Sequence, residues 1–103
     1  MQLKEYQILF NMQEIQIPAL NFEVDFFTCD TSQYIGGYAY NSLTFINYGT
    51  SVAKIESITL QPNQQFEIAG NQAEFTNQRF FVNFGSSTTG NNVVVVRKRY
   101  LNV

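Results

Sequence analysis

The sequence predicts an all-β protein: a single β-sandwich, jelly-roll-like, with about eight to nine short antiparallel strands across residues 1–103. Three observations predict it. Apolar residues alternate with polar ones at a period of two, turn-forming residues recur at short intervals, and no stretch keeps a helical period long enough to make a helix. Ten Phe and six Tyr supply large flat side chains for one core, and 103 residues are enough to bury one.

Taken in order, the strand candidates begin with Leu3 to Phe10 and Glu14 to Ala19. Phe22, Val24 and Phe26 then alternate with Glu23 and Asp25, which reads as a strand whose apolar set faces the core. Tyr34 to Tyr40, Ser42 to Asn47, Ala53 to Leu60 and Gln65 to Ala69 follow, with Phe80, Val82 and Phe84 alternating against Arg79 and Asn83. Asn92 to Leu101 closes the series, and its four consecutive valines, Val93 to Val96, are apolar on both faces. Such a strand belongs in the middle of a sheet or under a cover, because as a free edge it would recruit other chains.

The connections carry turn chemistry at Asn47 to Thr50, at Gln61 to Gln64 around Pro62, and at Gly70-Asn71. Between Ile55 and Ile58 the apolar parity flips, so a bulge or a sheet-switching bend is expected near Glu56-Ser57. The polar run Gly85 to Asn92 is expected to join the Phe80–Phe84 strand to the last one as a wide hairpin.

Composition argues against chemistry. The chain has no His, so Ser-His-Asp and Cys-His nucleophiles and imidazole metal ligands are all out of reach. Twenty-one of its 103 residues are Asn or Gln, amides that neither ionise nor attack. Cys29 stands alone beside Asp30, whose charge disfavours a thiolate, and reads as an inert structural thiol. Glu23 with Asp25, and Glu67 with Glu74, are the acid pairs a glycosidase could use, but a solvated strand face and a hairpin account for them. No glycine-rich stretch leads into a Lys-Ser/Thr helix, and the acids do not alternate as a calcium loop does. No catalytic residue, cofactor or metal is therefore expected.

The net charge is −2, and the body of the chain is acidic until Arg97, Lys98 and Arg99. That balance argues against nucleic-acid binding, and no apolar run approaches the ~18 residues of a membrane span. The three cations and Tyr100 are candidates for docking onto an acidic surface of a neighbouring subunit. Tyr34, Tyr38 and Tyr40 share one face of their strand with Gly36 between them, and form an outward aromatic row if Ile35, Gly37 and Ala39 face the core. The same row could stack sugars.

The run from Leu43 to Leu101 contains Asn47-x-Gly49-Thr50 and Leu60-x-Pro62-x5-Ile68-x-Gly70-Asn71, then VVVVRKRYL. It resembles small all-β virion structural proteins of bacteriophages of Bacteroidetes hosts. The resemblance implies a structural subunit of a virus particle, made in the host cytoplasm and acting by assembly with itself and with other capsid proteins. It leaves open a vertex, decoration or tail position. The alternative is a glycan-binding, host-recognition sandwich that uses the three tyrosines as its platform.

Overall fold

The computed structural model describes residues 21–101, and in them the chain forms eight strands and no helix. The strands are β1 (Asn21–Cys29), β2 (Gln33–Ile35), β3 (Ser42–Asn47), β4 (Ala53–Ile55), β5 (Ile58–Leu60), β6 (Gln65–Ile68), β7 (Phe80–Asn83) and β8 (Val93–Leu101). The candidate strands Leu3 to Phe10 and Glu14 to Ala19 lie outside the described residues.

Two four-stranded antiparallel sheets result, ordered β1-β8-β3-β6 and β2-β7-β4-β5. Their pairings nest: β1 with β8, β2 with β7, β3 with β6 and β4 with β5. A long antiparallel hairpin folded over itself gives this order. Between the layers lie Leu43 and Phe45 of β3, Ile55 of β4, Val82 of β7 and Val93 and Val95 of β8, all fully buried. Phe45 crosses the gap to meet Phe80 of β7 edge to face at 6.1 Å between ring centres.

The valine-rich strand is central, as its pattern requires, with β1 on one side and β3 on the other. Other expectations need correction. Phe22, Val24 and Phe26 point away from the second sheet and are exposed, while Glu23 and Asp25 point inward. The reason is register: β1 pairs with β8 so that Phe27 and Cys29 lie opposite Val95 and Val93 on the core side. Two-residue periodicity then carries Asp25 and Glu23 to that same side.

At Glu56-Ser57 there is neither a bulge nor a change of sheet. The two residues form the tight turn of the β4–β5 hairpin, which sets Ile55 opposite Ile58 and so produces the parity flip. Glu56 adopts φ +53°, held by hydrogen bonds of its own N–H to the Phe81 carbonyl (3.0 Å) and of the Phe81 N–H to its carboxylate (2.9 Å). The Gly85–Asn92 segment is not a hairpin either, since β7 and β8 belong to different sheets and the segment crosses between them.

Buried amides fix both ends of β3. At its C-terminal end Asn47 is fully buried, donates to the carbonyls of Ser51 and Leu60 (both 2.9 Å) and accepts from the Gly49 N–H (3.0 Å). Just before its start, Asn41 donates to the carbonyls of Asn71 (3.0 Å) and Glu74 (2.7 Å) and accepts from the Tyr100 N–H (2.7 Å). Three bonds to each side chain leave little of either carboxamide unsatisfied. Replacement of Asn47 by Ala should lower unfolding free energy by about 2–4 kcal/mol, since buried partners lose their bonds. Asn47→Asp should be worse, because it turns two donors into an acceptor facing carbonyls; urea titration of both variants checks the order.

Candidate functional site

The tyrosines do not form one row. Tyr34, on β2, points outward from the second sheet and is 58% exposed. Its ring lies 4.9 Å from that of Phe81, with the Arg79 guanidinium 4.8 Å above it. The strand then ends, because Gly36 and Gly37 take φ of +112° and +92°. A Cβ on Gly36 would stand 2.5 Å from the Gln78 carbonyl oxygen, so only glycine fits this bend.

Beyond the bend Tyr38 is 69% exposed, and the Arg97 guanidinium sits 5.6 Å from its ring centre. Tyr40 turns the other way. It is fully buried, its hydroxyl donates to the Gln78 carbonyl at 2.7 Å, and burial raises its pKa. Tyr40 is thus a core residue and not part of an outward surface, which corrects the expectation of three aligned rings. Arg79 and Phe81 are the partners that sequence reasoning missed; their place opposite β2 follows from pairing of Tyr34 with Phe81, which no local pattern announces.

The three C-terminal cations also divide. Arg97 donates through Nε and Nη2 to one Asp25 carboxylate oxygen (3.1 and 2.6 Å), and its side chain is 18% exposed. Arg99 pairs with Glu23. The acidic complement expected on another subunit is supplied for these two by β1 of the same chain. Lys98 faces the opposite side, its ammonium 4.5 Å from the Phe22 ring centre and 4.8 Å from that of Tyr100. Tyr100 meets Phe22 edge to face at 6.1 Å.

The second pair of acids, Glu67 and Glu74, has structural partners as well. Glu67 accepts from the Thr44 hydroxyl at 2.9 Å, and Glu74 from the Asn71 N–H at 3.1 Å. A cavity of about 490 Å³ opens beside Asn41, Phe75, Arg99 and Tyr100, but the Asn41 amide is already taken up by the loop it holds. Among the described residues no three or more Cys, Asp or Glu gather as metal ligands would, and no helix is long and apolar enough to cross a membrane. No known protein family, curated protein or solved structure matches the chain.

Cys29 is buried at the core end of β1, and burial first, then the neighbouring Asp30 charge, pushes its thiol from 9.0 to about 11. The proton is therefore held more tightly in the folded chain than in the unfolded one. Stability from this source is complete below pH 9 and is lost as pH rises from about 9 towards 11. Native protein at pH 8 should resist iodoacetamide while urea-unfolded protein is alkylated at once, and Cys29→Ala should flatten the alkaline limb of a stability-versus-pH curve.

Proposed function

We propose that the protein is a non-enzymatic structural subunit of a virus particle, a bacteriophage capsid-associated protein at a vertex or as decoration, that works through protein–protein assembly contacts. One observation carries the reading: two exposed tyrosines, Tyr34 and Tyr38, each stacked by an arginine, Arg79 and Arg97. Tyr and Arg dominate the residues that anchor protein interfaces. Rings held in place before contact also lose less freedom on binding than mobile side chains do.

The two stacks are linked. The Arg79 side chain that covers Tyr34 runs against Gly37, with Cδ 3.4 Å from the position a Cβ would take there, and Tyr38 is the next residue. Two exposed aromatic anchors thus lie within five residues of chain. The strand order of a jelly roll, an architecture used by capsid and lectin domains, supports the same reading, as does the Leu43–Leu101 resemblance. Its partners would be further copies of itself and other capsid proteins, and its place the virion. The glycan-binding alternative takes Tyr34, Tyr38 and Tyr40 as its stacking platform, and burial of Tyr40 removes one of them.

Arg97 and Arg99 are poor targets for testing assembly, because each holds a carboxylate of β1. The double variant Tyr34→Ala/Tyr38→Ala is cleaner. It should fold with a Tm close to the parent, since exposed side chains contribute little to stability. Incorporation into particles, or self-association measured by mass in solution, should fall at least tenfold, given about 2 kcal/mol per interface anchor. Unchanged incorporation and association would remove the assigned surface.

A further inference from the structure

The outer face of the β2-β7-β4-β5 sheet sets aromatic rings between cations. Phe80, Val82 and Phe84 turn to the core, so the alternate residues Arg79, Phe81 and Asn83 share the outward side. Strand pairing then puts Tyr34 beside Phe81 and Lys54 beside Asn83. Arg79, Tyr34 and Lys54 are all exposed. A strip thus runs from Arg79 across the Tyr34–Phe81 pair to Lys54, and from Arg79 to Asn83 it covers about 13 Å of extended chain.

Its two cations stand apart from the other arginines. Among the described residues the ion pairs are Arg97–Asp25 and Arg99–Glu23, so neither Arg79 nor Lys54 has a carboxylate partner there. Stacking over Tyr34 uses the face of the Arg79 guanidinium and leaves its N–H donors for an acceptor. Glu56 is the acid beside the strip, and its carboxylate already accepts from the Phe81 N–H at 2.9 Å. We propose that this strip docks an extended acidic segment of another protein. One carboxylate meets Arg79, an apolar side chain covers Tyr34 and Phe81, and a second carboxylate meets Lys54. In an extended chain, residues two and four apart fall on one side with this same spacing.

Charge decides between such a partner and a second copy. Among the described acids, Glu23 and Asp25 are ion-paired, while Glu56, Glu67 and Glu74 hold the Phe81 N–H, the Thr44 hydroxyl and the Asn71 N–H. Only Asp30 is left uncommitted among them, whereas the strip takes two carboxylates. The inference rests on the assembly reading in taking the Tyr34 face as an interface, and it adds the chemistry of the partner: acidic, extended and apolar at its centre.

The test is a nuclear magnetic resonance titration of the intact, nitrogen-15-labelled protein. The probes are the peptide Gly-Glu-Ser-Leu-Ser-Glu-Gly and the same peptide with Lys in place of both Glu. The glutamate peptide should shift the amides of Tyr34, Lys54, Phe81 and Asn83, and the lysine peptide should not. Salt at about 0.5 M should weaken the binding. The double variant Lys54→Glu/Arg79→Glu, which alters exposed side chains and should keep the fold, should weaken it roughly tenfold or more. Absence of shifts, equal shifts with both peptides, or shifts confined to other residues would overturn the proposal. Shifts at these residues that follow protein concentration and ignore the peptide would overturn it in favour of a second copy. Specific binding of the glutamate peptide, together with unchanged association of Tyr34→Ala/Tyr38→Ala, would uphold the acidic-segment site and remove the assembly role alone.

Discussion

The register of β1 on β8 is the constraint from which most of this molecule follows. It sets Glu23 opposite Arg99 and Asp25 opposite Arg97, and each acid is then ion-paired with the arginine across from it. Cross-strand pairs of opposite charge favour this register, and Phe27 and Cys29 opposite Val95 and Val93 favour it from the core end. The period of a strand then leaves no choice for the alternate residues: Phe22, Val24 and Phe26 must face outward. A shift of one residue would bury the phenylalanines and expose the charges, but it would also turn Cys29 and Phe27 out of the core. The arginines are thereby tied to their own chain, and Arg97 becomes the support beneath Tyr38.

A second constraint accounts for the two buried amides. Asn41 and Asn47 stand at the two ends of β3 and gather loops that are distant in sequence, Asn71–Glu74 with Tyr100 at one end and Gly49–Leu60 at the other. A carboxamide can donate and accept at once without carrying charge, so it can satisfy mixed loop groups in a buried place where a carboxylate would be costly. With both ends of β3 fixed, the chain from Gly36 to Tyr40 has a defined course: Tyr40 is drawn into the core by its bond to Gln78 and its backbone bridge to Thr76, and Tyr38 is left outside.

Much of the fold was legible because local pattern and tertiary demand agree. Ser42–Asn47 alternates cleanly and forms a strand over those six residues, and the valines of β8 required a central place that the sheet provides. Where they disagree, pattern misled. The alternation in β1 correctly indicates a strand but not which face is buried, since that depends on the partner strand and on arginines more than seventy residues away. The Glu56-Ser57 parity change is equally a bend or a tight turn until Ile55 is seen opposite Ile58. Tyr34 and Tyr38 were legible as exposed aromatics, whereas Arg79 and Phe81 come to Tyr34 only through β2–β7 pairing.

The functional reading rests on the same geometry. Carboxylates that might have served chemistry are held by arginines and loop amides, while aromatic rings stacked by arginines face solvent. On this geometry rests the assembly role proposed above. Its foundation is the inward Asp25–Arg97 pair, and a double-mutant cycle measures that pair directly. Unfolding free energies of Asp25→Ala, Arg97→Ala and the double variant should give a favourable coupling of about 1 kcal/mol, the scale of a part-buried charged pair bonded through two donors. A coupling of zero would contradict the claim that this pair anchors the register of β1 on β8.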